Sequence, residues 1–504
     1  MIEIPLLIIV PLLGVFLIVG IARKKSHIAG IISIITLCLI FYLYKNLLGA
    51  AGNSGVIVYE LGGWSMPEGI NLVIDGLAVF MLGIVYFISL IALIYSIPYV
   101  KKINDQWKYY ALFLLFITGV SGVVVAGDIF TLFVFLEIAA VASYALVSIS
   151  LEAGALYGAF GYMRMGMISS VLILLGIAIS YNYLSTLSIS EVAIKLGIRN
   201  QAGNLALDNN IVIIFVSLLF FIGFAMKSGL VPFHSWVVDA HAFSFAPVSI
   251  MLAAICMPVL GIYPILRIFF NMIGVTPKIL SIMMIIGILS MILGTVLCLR
   301  ERDFKRIIGY NCISELGFVI FGIGIGSKLA IAGALLHIIS YSLSSSLLYV
   351  SDGAMDSEKR SSKDQNKKIT FKSNVLTKVA SIIGSMSVVG IPPFNGFWSK
   401  MIIITAAWIA GYKGNCMLIV LVLILNAVVF IKVQTHGMFK SKQRNRQSIV
   451  VEVPFLMRLC IIILMVFSLF SGVFWLSTQR EAFLDPAVNM ILEKGNYTKA
   501  ILWN

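Results

Sequence analysis

The chain has 504 residues, 60% apolar and only 12% charged, with a mean hydropathy of +1.03. A soluble globular domain carries roughly 25% charged residues, so a water-soluble fold is excluded and the expected solvent is a lipid bilayer. The net charge of +14 is then a question about loops, and it needs no nucleic-acid partner.

Apolar runs of about 20 residues, long enough to cross a ~30 Å hydrocarbon core, recur along the whole chain. The first, residues 4–21, precedes Arg23, Lys24 and Lys25 and has no basic region before it, so it reads as a retained helix and not as a cleaved signal peptide. In chain order the predicted spans fall near 4–22, 28–48, 72–97, 109–126, 128–149, 155–181, 211–238, 246–270, 279–299, 306–325, 329–350, 373–411, 415–436 and 454–475. The fold class is therefore all-α integral membrane, with about fourteen transmembrane helices. Two spans are predicted to be broken. The seventh carries Gly229 and Pro232 just after Lys227, and the twelfth, too long for one straight crossing, carries Pro392 and Pro393; proline removes a helical donor and clashes with the preceding turn.

Lysine and arginine collect on the cytoplasmic side of short loops. When the loops are assigned to alternate sides, one side holds twenty such residues and the other five, Lys195, Arg199, Lys278, Lys328 and Lys413. Both termini are accordingly predicted outside a cell membrane that the chain crosses many times. Residues 351–372, the most polar stretch, read as a solvated cytoplasmic loop or as a docking surface for a peripheral subunit. The six cysteines are scattered singly, without a CxxC pair, and no Gly-rich phosphate loop is present. No metal site and no cofactor are expected in this chain, so any redox chemistry belongs to a partner.

Ionisable residues inside spans cost on the order of 3 kcal/mol each on insertion scales and are functional candidates by default. Four stand out: Glu137, Arg164, Lys227 and Lys400. Desolvation disfavours the charged form of a buried lysine and a nearby carboxylate favours it, so moving Glu137 toward or away from Lys227 would load or release a proton. His337 lies deep in the eleventh span and suits a relay. His234 and His241 follow the seventh-span break, where they either shape it or feed protons to it. His27 and His436 lie at span ends and carry no role. Asp75 reads as a cap or helix contact near the outer surface, and Arg267 as a residue that snorkels outward from the end of the eighth span.

Three segments, LFVFLEIAAVASYALV, AMKSGLVPFHSWVVDAHAFSFAPVS and GIPPFNGFWSK, resemble the signature segments of the antiporter-like membrane subunits shared by complex I, membrane-bound hydrogenases and Mrp antiporters. The resemblance implies two inverted five-helix repeats, spans four to eight and nine to thirteen, and hence segments 1–107 (first three helices), 108–270 (first repeat), 271–438 (second repeat) and 439–504 (last helix and tail). It further implies that Glu137, Lys227, His337 and Lys400 belong to a central polar axis that conducts protons or sodium. The expected partners are other membrane-arm subunits and a peripheral redox module.

Three segments depart from the family pattern. Gly161 stands where a lysine usually precedes Tyr162, with Arg164 one helical turn away as the expected substitute. Pro258 takes the place of the eighth-span lysine. Tyr341 and Ser345 stand where histidine and lysine are common, leaving Tyr341, Ser340, Ser344 and water as a possible hydroxyl wire. Three functions follow from this reading: a membrane-arm subunit of a redox-driven ion pump, a subunit of an Mrp-type sodium/proton antiporter, or a degenerate structural subunit with impaired translocation.

Overall fold

The computed structural model describes residues 3–23, 26–64, 69–101, 105–201, 210–363, 370–371, 375–438, 448–449, 453–472 and 480–492. Within them twelve helices are long and apolar enough to cross a membrane. They run Glu3–Ala22, Ile28–Gly49, Gly76–Val100, Gln106–Val125, Ile129–Val147, Ala153–Leu184, Ile211–Ser228, Ala246–Ile273, Pro277–Arg300, Phe304–Ile325, Lys328–Asp356 and Lys413–Thr435, and they are numbered below as spans 1 to 11 and 13. Span 12 consists of two half-helices, Val375–Val389 and Asn395–Ile409. The last apolar helix, Phe455–Phe470, has 16 residues and is short for a crossing. A count of fourteen requires both of these to be included. Most of residues 364–374 and of 439–452 lies outside the described residues, including much of the polar loop before span 12.

Both predicted breaks are present, and they are built alike. Span 7 stops at Ser228, turns at Gly229 with φ +68°, and resumes as Ser235–Phe243. Span 12 stops at Val389, turns at Gly390 with φ +83°, and resumes at Asn395. Glycine is favoured at such a φ, and at Gly229 a Cβ would also come within 2.3 Å of Val237. Each turn is followed by a proline in a cis peptide bond, Pro232 and Pro393.

Span 8 is buried along its whole length. Pro258 and Pro264 remove two helical donors from its interior, and the turns widen to π geometry over Leu252–Cys256, Pro258–Ile262 and Arg267–Ile273. The amide of Tyr263 thus reaches back to the carbonyl of Pro258. Spans 9 and 10 approach at backbone distance, because Gly287 and Gly294 of one face Gly317 and Ser314 of the other. Small residues permit that contact between membrane helices, where packing replaces the hydrophobic effect.

Three further elements accompany the spans, and the first makes strand of residues 72–75, which were expected to open the third span. Val56–Glu60 and Asn71–Asp75 pair as an antiparallel hairpin, Ile189–Gln201 forms a helix between spans 6 and 7, and Asp485–Leu492 folds back against span 3. This last helix is held to span 8 by Asn271, whose Nδ2 donates to the carbonyl of Met490 at 2.7 Å.

Candidate ion-translocation site

Two groups of buried charges lie beside the two helix breaks. In the first, Lys227 of span 7 donates to Oε1 of Glu137 in span 5 at 3.2 Å and to Oγ of Ser170 in span 6 at 3.1 Å, and the Ser170 hydroxyl in turn donates to Glu137. The predicted encounter of Glu137 and Lys227 therefore exists. Lys227 is 2% exposed and Glu137 is 31% exposed, so the carboxylate opens onto the flank of the bundle. A lysine at the last turn of a half-helix also faces the free carbonyls there, which favour a cation.

The second group was only half visible in the sequence. Lys400 of span 12 donates to Oε1 of Glu315 in span 10 at 2.8 Å, while Nε2 of His337 in span 11 lies 3.3 Å from Oε2 of the same carboxylate. The other imidazole nitrogen, Nδ1, bonds Oγ of Ser399 at 2.9 Å. Phe318 closes the pocket beneath the ammonium, with its ring centre 4.7 Å from Nζ. All three ionisable side chains are at most 2% exposed. Glu315 is the residue that sequence reasoning missed. Its signal was the one that found Glu137, a lone acidic residue inside a span, here the only one between Asp303 and Asp352.

The remaining candidates do not join either group. Arg164, expected to restore the charge lost at Gly161, lies on the exposed face of span 6 and makes no ion pair among the described residues. One helical turn keeps Gly161 and Arg164 on one side of the helix, and a Cβ at Gly161 would also meet open space, so that side points away from the interior. His234 is half-buried at the break. His241 is fully buried and stacks on Tyr349, with ring centres 5.1 Å apart, and both of its nitrogens lack a protein partner. Tyr341 directs its hydroxyl at the thioether of Met257, 3.8 Å away.

The span-11 hydroxyls do not bond one another directly. Ser344 donates to the carbonyls of Ser340 and Tyr341 in its own helix, the local bond serine prefers, and Ser340 is committed to Asn395. Ser345 is buried without a partner. Arg267 does not snorkel outward. It is 2% exposed and grips fully buried Asp75 through two bonds of 2.5 and 2.6 Å, and its Nε donates to Tyr263. Asp75 also caps span 3 by accepting from the amide of Ala78. A bidentate pair of this kind fixes geometry and ties span 3 to span 8.

Residues 126–430 match the family described as "NADH:quinone oxidoreductase/Mrp antiporter, TM", and residues 65–110 match that described as "NADH-Ubiquinone oxidoreductase (complex I), chain 5 N-terminus". This chain belongs to that antiporter-like family. It is a multi-pass membrane protein. Among similar proteins, an NADH-quinone oxidoreductase subunit of Desulforudis audaxviator is 30% identical over 76% of this chain and 75% of its own length. An Na(+)/H(+) antiporter subunit of Alkalihalophilus pseudofirmus is 30% identical over 71% of each chain. A chain of the membrane-bound sulfane sulfur reductase, an archaeal respiratory membrane complex, superposes with a TM-score of 0.86 at 25% identity over 99% of both chains. A chain of the Mrp complex from Dietzia sp. DQ12-45-1b superposes with a TM-score of 0.87 over 100% of both chains at 19% identity, which is a likeness of fold.

Proposed function

We propose that this chain is an ion-translocating membrane-arm subunit of a multi-subunit redox-driven pump of the membrane-bound hydrogenase or complex I type. In this reading it moves protons or sodium ions and catalyses no reaction of its own. The observation that carries the proposal is the pairing of each buried lysine with a carboxylate beside a helix break: Lys227 with Glu137 and Lys400 with Glu315. Charges in a bilayer interior are tolerated when they pair and when broken helices supply unwound backbone, and such groups mark ion pathways. Glu137, Lys227, His337 and Lys400 are the proposed carriers, with Glu315 added. His234, His241 and Tyr341 line the approaches, and Arg164 lies outside the path.

The likeness to chains of multi-subunit assemblies supports neighbouring membrane subunits as partners. The redox cofactors are assigned to a peripheral module, outside this chain. The loop charge bias supports insertion in the cell membrane with both termini outside. Reconstitution of the whole complex with Lys227→Ala, Lys400→Ala and Glu137→Gln variants tests the role: ion movement per turnover should fall, and its survival in all three would remove the relay assignment.

The likeness to the Na(+)/H(+) antiporter protein of Alkalihalophilus pseudofirmus favours a second reading, a secondary antiporter with no redox partner. Metal and flavin analysis of the purified native complex separates the two. Nickel, iron–sulfur clusters or flavin in stoichiometric partners mark the redox pump, and their absence marks the antiporter.

A further inference from the structure

The two charge groups draw on matching elements of the two five-helix repeats. Glu137 and Glu315 come from the second helix of each repeat (spans 5 and 10), Ser170 and His337 from the third (spans 6 and 11), and Lys227 and Lys400 from the fourth (spans 7 and 12). The lysines differ in register. Lys227 stands two residues before the break at Gly229, and Lys400 stands ten residues after the break at Gly390. Yet the Lys400 ammonium donates to the carbonyl of Val388, which stands two residues before Gly390 and so occupies in the second repeat the place of Lys227 in the first. Different chain positions deliver the same charge to the same point of the fold.

Between the groups, span 8 carries no lysine, histidine or carboxylate. Its interior offers the Cys256 thiol, bonded to Tyr162 at 3.0 Å, the Met257 thioether, which faces the Tyr341 hydroxyl at 3.8 Å, and Pro258. A thioether has no proton to pass. Each group is meanwhile complete in itself, with one acid, one lysine and a polar intermediary.

We infer that the chain holds two self-contained proton-exchanging triads that work in parallel, Glu137–Ser170–Lys227 and Glu315–His337–Lys400, in place of one lateral relay. The inference rests on the ion-translocating role proposed above. In the second triad a proton reaching the imidazole passes from Nε2 to the Glu315 carboxylate. This removes the counter-charge of Lys400, whose ammonium then releases a proton on the other side of the triad. One proton enters and one leaves, which restores the net charge of the group, and the transfer of the Glu315 proton to Lys400 then resets the ion pair.

Series and parallel arrangements differ in their arithmetic. The share of ion movement carried by this chain is the difference, per redox turnover of the reconstituted complex, between wild type and the Glu137→Gln/Glu315→Gln double variant. Independent sites contribute additively, so Glu137→Gln and Glu315→Gln should each remove about half of that share. If either single variant removes the whole share, the sites act in series and the inference is overturned. It is overturned as well if Glu315→Gln removes nothing. A double variant indistinguishable from wild type is a different failure, because it removes the ion-translocating role itself. Should Glu315→Gln fail to co-purify with its partners, the Glu315→Gln/Lys400→Gln pair removes both charges together and is expected to lose the same half; loss of the whole share there overturns the inference equally.

Discussion

The two triads differ most in how they are sealed. Glu137 keeps 31% of its surface exposed on the flank of the bundle, whereas Glu315, His337 and Lys400 are at most 2% exposed and enclosed by spans 10, 11 and 12. The same pairing of lysine and carboxylate thus sits once at a boundary and once in a closed interior. The closed site should depend far more on each of its partners. Breaking a buried ion pair from one side leaves an uncompensated charge and typically costs about 3–5 kcal/mol. Lys400→Met should therefore destabilise the protein by about that amount, read as a lowered thermal midpoint in detergent. Glu315→Leu added to Lys400→Met should recover most of the loss, since removing both charges of a buried pair is often neutral.

At the open site the corresponding Lys227→Met should cost less, about 1–3 kcal/mol, because Glu137 keeps the Ser170 hydroxyl and access to the flank. Equal losses for the two lysine variants would break the comparison. An apolar carbodiimide offers a sharper probe, since it modifies carboxyl groups it can reach from the lipid phase. In the isolated chain Glu137 should be labelled and Glu315 spared, as read by peptide mass spectrometry. If Glu137 becomes protected in the assembled complex, the flank beside span 5 is where a neighbouring subunit sits.

The difference between the sites also explains what could be read from the sequence. The spans, both breaks and the meeting of Glu137 with Lys227 were legible, because helix length, Gly and Pro placement and isolated charges in apolar runs are one-dimensional signals. Glu315 carries the same signal as a lone acid in an apolar run, but its pairing with Lys400 spans 85 residues and leaves no mark in local spacing. The register shift that brings Lys400 to the carbonyl of Val388 is a three-dimensional coincidence that no spacing rule encodes. Arg267 was misread for a related reason. A cation near the end of a span normally snorkels, and only the fold places Asp75, from almost two hundred residues earlier, within 2.5 Å of it.

Arg164 supplies the smallest expected effect and the cleanest control on the boundary of the open site. It lies on span 6, the helix that also presents Ser170, yet its side chain is turned to the exposed face while Ser170 turns to Lys227. Six positions on a helix correspond to a rotation of about 240°, so the two residues cannot share a face, and a charge at Arg164 does not enter the Glu137–Lys227 pair. Arg164→Leu should accordingly leave ion movement per turnover unchanged in complexes that contain the chain, with any change confined to how much assembled complex is recovered. A loss per turnover as large as that of Glu137→Gln would instead place Arg164 in the path. The open triad would then reach across the flank of span 6, and its carboxylate would be exposed because a second cation belongs beside it.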